Sequence, residues 1–292
     1  MPPTIQLEHV TFRYPQAEEP VLTDINLRVE PGEFLGIVGP TGAGKTTLLF
    51  LMAGIIPHYF RGQLEGAVLV DGQPTAASSL ATLTERIGVV LQDPEAQLFN
   101  LLVRDELAWG LENRGQSREA IAREVASTIA FLHIEHLRDR ITYDLSGGEK
   151  QRVALAAVHA LAPEVFLFDN PTSQLDPLGA ADVLESVRSL ADTHGFSIVL
   201  VEDKVDELVR VADRIVLLDH GRLTLDAPPR AFCLSAEALA CAGVRSTQIA
   251  ELSAELLAAG VRFDDDATPI TQEEAVPVLR RLLGQEAVVA GA

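Results

Sequence analysis

An α/β fold with a parallel sheet covered by helices on both faces, followed by a purely helical stretch, is what this sequence predicts. Three observations point there. Short apolar runs of strand length alternate with helical patterns from about residue 33 to residue 218. A glycine-rich turn separates one such run from the helix after it. Beyond about residue 225, past Pro228–Pro229, the strand-like runs stop. The chain has 292 residues, enough for one large domain with an appendage.

Taken in order, Thr4–Tyr14 and Thr23–Val29 mix β-formers in rough alternation and read as strands with one wet face. Glu33–Val38 is shorter and more apolar, ends at Gly39, and leads into a helix over Thr46–Ala53. Leu64–Val70 and Arg86–Leu91 read as strands, Asn100–Leu111 and Arg118–Leu132 as helices. Another helix covers Glu149–Ala162. Val165–Phe168, Ser197–Val201 and Arg214–Leu218 have the length of buried strands. Between them, Leu178–Thr193 carries Val183, Leu184, Val187, Leu190 and Ala191 on one face, and Val205–Val211 is a short helix. In the last stretch Ile249, Leu252, Leu256 and Leu257 form one apolar stripe. Thr271 and Glu274 have capping-box spacing before Val278, Leu279, Leu282 and Leu283. The expected domains are therefore 1–225 and a helical extension over 226–292, with a helical subdomain at about 93–150.

Composition narrows the function. Basic residues number 23 against 42 acidic, a net charge of −19. A phosphate-backbone binder needs a basic face, so nucleic acid is not an expected partner. Direct adhesion to an anionic membrane is disfavoured for the same reason. No apolar run approaches the roughly 18 residues of a membrane span, and no signal peptide is evident. Cys233 and Cys241 lack CxxC spacing and a histidine cluster, so neither zinc nor a disulfide framework is expected. His58, His133, His136, His159, His194 and His220 read as surface or packing residues. Trp109 reads as subdomain core, with a docking surface as the alternative, and Asp264–Asp266 as a solvated turn.

Three motifs carry chemistry. Gly39-Pro40-Thr41-Gly42-Ala43-Gly44-Lys45-Thr46 fits GxxxxGK[ST] between a strand and a helix, the context that motif requires. Its glycines let backbone N–H groups converge on phosphate, and the helix N-terminus adds its positive dipole end. Lys45 would reach the β- and γ-phosphates, and the Thr46 hydroxyl would ligand Mg²⁺. The apolar run Val165–Phe168 ends in Asp169, placed to deliver a carboxylate to that metal. Leu145-Ser146-Gly147-Gly148-Glu149-Lys150-Gln151-Arg152 opens a helix with Ser146 as N-cap and two glycines leaving N–H groups open. By physics alone it is a capped helix start or a second anion site.

Together with Ser173–Asp176, these motifs stand in the order found in ABC-type ATPase subunits, which residues 4 to about 225 resemble. The resemblance implies a P-loop NTPase (RecA-like) parallel-sheet core with an antiparallel β subdomain, a helical signature subdomain and a C-terminal helical extension. It implies ATP and Mg²⁺ as cofactors, bound by Gly39, Pro40, Thr41, Gly42, Ala43, Gly44, Lys45, Thr46 and Thr47. Tyr14 matches the aromatic that stacks on adenine. Gln92, with Thr46 and Asp169, matches the metal-contacting set. Leu145, Ser146, Gly147, Gly148 and Glu149 match the signature that clamps ATP held by a second, head-to-tail ATPase subunit. Asp176 matches the D-loop acid.

Gln92-Asp-Pro-Glu-Ala-Gln97-Leu-Phe, Arg104 to Asn113, and Val201 to Leu208 are similar to segments of energy-coupling-factor (ECF) ATPases. That finer likeness implies a transmembrane coupling subunit, a substrate-binding membrane subunit, and a place on the cytoplasmic face of the membrane. The ATPase of a conventional ABC importer is the main competitor. A regulatory ABC protein that only dimerises, or one acting on nucleic acid, are rivals of another class.

Two positions depart from the family. Asn170 stands where the family has a general-base Glu, and Asn cannot accept a proton. Asp203 stands where the family has a switch His, or Glu202 does if the register slips by one. A positioned base is worth roughly 10²–10⁴ in rate. One such change could be incidental or engineered; two at one site point to a naturally degenerate, slowly hydrolysing centre.

Overall fold

The computed structural model describes residues 4–263 and 268–282. Leu283 and Asp264–Asp266 lie outside them. Ten strands and twelve α-helices occur among the described residues. In chain order they are β1 (Ile5–Arg13), β2 (Leu22–Val29), β3 (Phe34–Val38), α1 (Lys45–Met52), α2 (Ile55–His58), β4 (Gln63–Val70) and β5 (Gln73–Pro74). Next come α3 (Leu80–Arg86), β6 (Ile87–Val90), α4 (Val103–Asn113), α5 (Arg118–Phe131), α6 (Gly147–His159), β7 (Val165–Asp169) and α7 (Pro177–His194). The chain continues through β8 (Ser197–Val201), α8 (Val205–Leu208), β9 (Arg214–Asp219) and β10 (Arg222–Ala227). It ends with α9 (Pro229–Cys233), α10 (Ala236–Cys241), α11 (Gln248–Ala258) and α12 (Gln272–Leu282).

The central sheet has the order β10-β9-β3-β8-β7-β6. Neighbouring strands from β9 to β6 pair in parallel, while β10 joins β9 antiparallel at the edge. This edge strand carries alternating exposed and half-buried residues, so its apolar content is too low to stand out in the sequence. A second sheet, β2-β1-β4-β5, is antiparallel.

Side-chain alternation along the central strands feeds two separate cores. In β8, Ile198 and Leu200 face one cluster and Val199 and Val201 the other. In β3, Phe34 and Val38 join the first, Leu35 and Ile37 the second. The first core is completed by α4 to α7 and by Phe232, Cys233, Leu239 and Ala250 of the last helices. The second is completed by α1 and by the inner face of the antiparallel sheet, including Ile5, Val10, Phe12 and Ile25. A strand buried on both faces reads as a continuous apolar run, which is why β7 and β8 are legible in the sequence.

In the helical end one expected motif is met only in part, and one apolar stripe is only partly covered. The stripe on α11 is split: Leu252 and Leu257 are exposed, Ile249 and Leu256 are half-buried, and the buried positions are Ala250 and Ser253. Small residues pack there because Ser253 Oγ donates to Pro269 O at 2.8 Å and Thr247 Oγ1 to Ile270 O at 2.6 Å. The capping box before α12 forms only by half. Glu274 N donates to Thr271 Oγ1 at 3.3 Å, but the Glu274 carboxylate accepts from Ile270 N and pairs with Arg230.

Candidate functional site

The carboxyl ends of β3, β7 and β8 lie side by side, with Asp169 opposite Val201 and Val201 opposite Ile37. Open α/β sheets bind ligands along such an edge. From β3 the chain turns through Gly39, where an added Cβ would lie 2.0 Å from the Leu218 carbonyl oxygen. Only glycine permits that approach. Gly42 and Gly44 take positive φ of 84° and 104°, and Gly44 caps α1, so Lys45 and Thr46 open the helix. A cleft of about 480 Å³ lies over this turn, lined by Thr41, Gly42, Gly44, Lys45, Thr46, Thr47, Val21, Gln92, Asp169, Asn170, Val201 and Asp203.

Lys45 is 9% exposed. Its ammonium donates to Gly39 O at 2.7 Å and Pro40 O at 3.1 Å, and pairs with Asp203 Oδ1 at 3.1 Å. The other Asp203 oxygen accepts from Asn170 Nδ2 at 2.9 Å. Lys45, Asp203 and Asn170 thus form one chain across the cleft. Asn170 has φ +49°, the left-handed region that Asn tolerates better than most non-glycine residues, and its N–H donates to Val201 O at 2.9 Å. Asp169 is buried, and burial holds its carboxyl above the usual range; the Thr46 hydroxyl, hydrogen-bonded to it, and the Lys45 charge pull the other way.

Oxygen donors from Thr46, Asp169 and Gln92 suit a hard cation such as Mg²⁺, which takes its remaining ligands from phosphate and water. Among the described residues no group of three or more His, Cys, Asp or Glu could hold a metal unaided. The donor set therefore fits a nucleotide-borne Mg²⁺ rather than a resident ion.

The other sequence-designated residues fall into three places. Tyr14 stands beside the cleft, its hydroxyl 3.3 Å from Thr47 Oγ1 and its ring edge-on to Phe12. Ala43 is buried beneath the turn. Ser146 caps α6 in a complete capping box with Glu149, whose carboxyl is lowered chiefly by the Ser146 N–H it accepts at 2.7 Å. Gly147 and Gly148 lie next to Gln174 and Leu175 of the same chain, and none of the signature residues lines the cleft. Asp176 Oδ1 accepts from Gly179 N at 2.8 Å and so caps α7.

Several supporting contacts had no counterpart in the sequence motifs. Gln97 anchors the loop bearing Gln92: its Oε1 accepts from Leu91 N at 3.1 Å and its Nε2 donates to Val89 O at 3.2 Å. Glu106, buried, accepts from Phe99 N and Asn100 N at 3.1 and 2.7 Å. Lys150 of α6 pairs with Glu95 of that loop. Behind Asp203, Glu202 is 1% exposed, accepts from Thr172 N at 3.2 Å and faces Glu207. Burial first, then the Glu207 charge, pushes the Glu202 carboxyl up to about 8. A Glu beside a sheet-end Asp carries no sequence mark of burial. The capping Ser146–Glu149 pair, by contrast, was visible in its spacing.

Trp109 is not core. It is 46% exposed and packs edge-on to Phe99, with ring centroids 4.6 Å apart. Phe99, Leu101, Ile141 and Tyr143 are exposed beside it, and Leu102 bridges Ile141. This apolar face joins the segment that follows Gln92 to the turn before α6. Among the described residues no helix is long and apolar enough to cross a membrane.

Comparison with known proteins adds family. Residues 22–173 match the model of the ABC transporter family. The chain is 42% identical to an ABC transporter ATP-binding protein of Pyrococcus abyssi, with 88% of this chain and 92% of that one aligned. A counterpart from Pyrococcus horikoshii is 39% identical over 94% of this chain and 96% of its own. The chain also spans 42% of the length of a 37% identical Methanosarcina mazei ABC transporter ATP-binding protein. Among solved structures, cbiO1 of Clostridium perfringens, described as part of the ABC transporter complex cbiONQ, superposes with a TM-score of 0.75 at 29% identity. That match covers 86% of this chain and 99% of that one. The cassette MJ0796, solved as a dimer bound to ADP and Pi, gives 0.68 at 26% identity, covering 77% and 98%.

Proposed function

From the premise that this chain belongs to the ABC transporter family as an ATP-binding subunit, we propose that it is the weakly hydrolysing half of an ECF-type ATPase pair. The observation that carries this reading is the Asn170–Asp203–Lys45 chain across the nucleotide cleft. A base must accept a proton from water. The Asn170 amide donates its N–H to a carboxylate and has no basic site to offer. Asp203 places a negative charge where an attacked phosphate develops more of it.

The remaining parts of the cleft bind. Backbone N–H groups of Gly42 to Thr46 and the N-terminus of α1 would receive phosphate, and Lys45 would supply a charge. Tyr14 offers adenine a ring face worth on the order of 1 kcal/mol. Mg²⁺, held by Thr46 and Asp169 with Gln92 beside them, would neutralise phosphate charge. Ser146 to Glu149 keep an intact, well-capped signature for ATP held by a partner subunit. In this reading residues 1–225 are the nucleotide-binding domain. The partly exposed stripe of α11 in residues 226–292 supports pairing with the second ATPase. The exposed Phe99–Trp109 face supports docking on a transmembrane coupling subunit, and with it a position at the cytoplasmic face of the membrane. The likeness to cbiO1 favours the ECF class over a conventional importer.

The test is the steady-state ATPase rate of the purified chain, alone and mixed with an ATPase subunit that carries both Glu and His at these positions. Alone it should turn over very slowly. Mixed, hydrolysis should appear and fall sharply with Ser146→Arg in this chain. Asn170→Glu alone should restore little, because it sets a second carboxylate against Asp203. A rate typical of an intact ABC subunit, unaffected by changing Asn170, overturns the reading.

A further inference from the structure

The ammonium of a lysine has three N–H donors and no acceptor. In this chain all three donors of Lys45 have partners: Gly39 O at 2.7 Å, Pro40 O at 3.1 Å and Asp203 Oδ1 at 3.1 Å. None is left for a phosphate oxygen. The two carbonyls belong to the same turn as Lys45 and come with the fold of β3 and α1. Asp203 is different: it sits in the loop after β8, its side chain is 53% exposed, and it can leave without disturbing the turn. It does not sit there loosely, because Asn170 Nδ2 holds its second oxygen at 2.9 Å.

We infer that Asp203 is a built-in counter-anion that competes with nucleotide phosphate for Lys45, and that Asn170 holds it in the competing position. The inference rests on the reading of the cleft as an ATP site. It makes Asp203 a specificity-determining residue for nucleotide binding, separately from any effect on hydrolysis. Each nucleotide must displace the carboxylate before Lys45 can pair with its phosphate. The displaced carboxylate stays tethered nearby and opposes the incoming charge. ATP carries more charge than ADP, so the discrimination runs against the triphosphate. AMP lacks the β- and γ-phosphates that a P-loop lysine reaches, so it is indifferent to Asp203. Asn170 and Asp203 also make sense as a pair. An amide donor at 170 is what a carboxylate at 203 requires, and a carboxylate at both positions would repel.

The experiment is calorimetric titration of the full chain with ATP, ADP and AMP in the presence of Mg²⁺, for wild type, Asp203→Asn, Asp203→Ser, Asn170→Ala and Lys45→Ala. A charge-assisted hydrogen bond removed from the competing side corresponds to roughly tenfold in affinity. Asp203→Asn should therefore tighten ATP about tenfold, ADP by less, and AMP not at all. Asn170→Ala, which removes one anchor of the carboxylate, should tighten ATP about two- to threefold. That second effect separates a held counter-anion from general repulsion by a nearby charge, which Asn170→Ala would leave unchanged. Asp203→Ser serves if the Asn variant fails to fold, as judged by its melting curve. Unchanged or weaker ATP binding in the Asp203 variants, with wild type still binding and Lys45→Ala still losing nucleotide, overturns the counter-anion alone. Absence of ATP binding in wild type and in every Asp203 variant overturns the ATP site and this inference with it.

Discussion

Replacing Glu202 by Gln should make the protein resist alkaline destabilisation. Glu202 is 1% exposed behind the cleft, where it accepts from Thr172 N and shares a hydrogen bond with Glu207. Thr172 Oγ1 and Lys204 Nζ bind Glu207 in turn, Lys204 at 3.1 Å. Burial and the Glu207 charge raise Glu202 from 4.5 to about 8. The folded state therefore keeps a proton that the unfolded chain releases. This contribution to stability is complete below pH 4.5 and is lost as pH rises through 8. At 1.36 kcal/mol for each tenfold change in proton affinity, the rise from 4.5 to about 8 sets a ceiling of about 5 kcal/mol, shared by the Glu202–Glu207 pair. Gln at 202 is neutral at every pH, keeps an oxygen for Thr172 N and offers an N–H to Glu207. Urea midpoints measured for both proteins from pH 5 to pH 9 isolate the site, because all other titrations cancel in the difference. The variant should match wild type near pH 5 and be several kcal/mol more stable near pH 9. A difference that stays flat across the range would refute the buried-proton argument.

Acid should act through a different residue. His159, stacked on Phe131 and 5.7 Å from His194, is lowered to about 4 by burial and by the His194 charge. Its folded value lies below the 6.5 of the unfolded chain, so the stability it allows is present above pH 6.5 and falls away towards pH 4, by roughly 3 kcal/mol. His159→Phe keeps the stack and should flatten that loss in the same titration. Gly39→Ala forces a Cβ to 2.0 Å from the Leu218 backbone oxygen, so it should destabilise by about 3 kcal/mol or more and abolish nucleotide binding by calorimetry. Phe232→Ala empties a fully buried site in the core that α9 shares with the central sheet. It should cost about 3–5 kcal/mol while thermal unfolding stays a single transition.

Legibility followed burial. β3, β7 and β8 are covered on both faces, so their residues had to be apolar throughout, and their ends could be placed within a residue or two. β10 lies at an edge with one wet face, and its RLTLDA pattern carries little signal. In the cleft, Gly39 to Thr46 were legible because a phosphate turn constrains spacing along the chain. Asp169 was legible from the run that precedes it. That Asp203 links Asn170 to Lys45 was not, since those contacts join segments far apart in sequence. The stripe on α11 was legible as a stripe, but periodicity reports an apolar face without saying whether its partner lies in the same chain.

β3 lies between β9 and β8, two strands in from the β10 edge and three in from β6. Its amides are hydrogen-bonded on both sides and its side chains close two cores at once. Such a strand exchanges its protons with solvent only when most of the molecule opens, whereas edge segments exchange through local fraying. The Gly39–Thr46 turn is thus rooted in a strand expected to be among the slowest of the molecule to exchange. Loosening of β10 or of the outer helices can come and go while the P-loop keeps its shape.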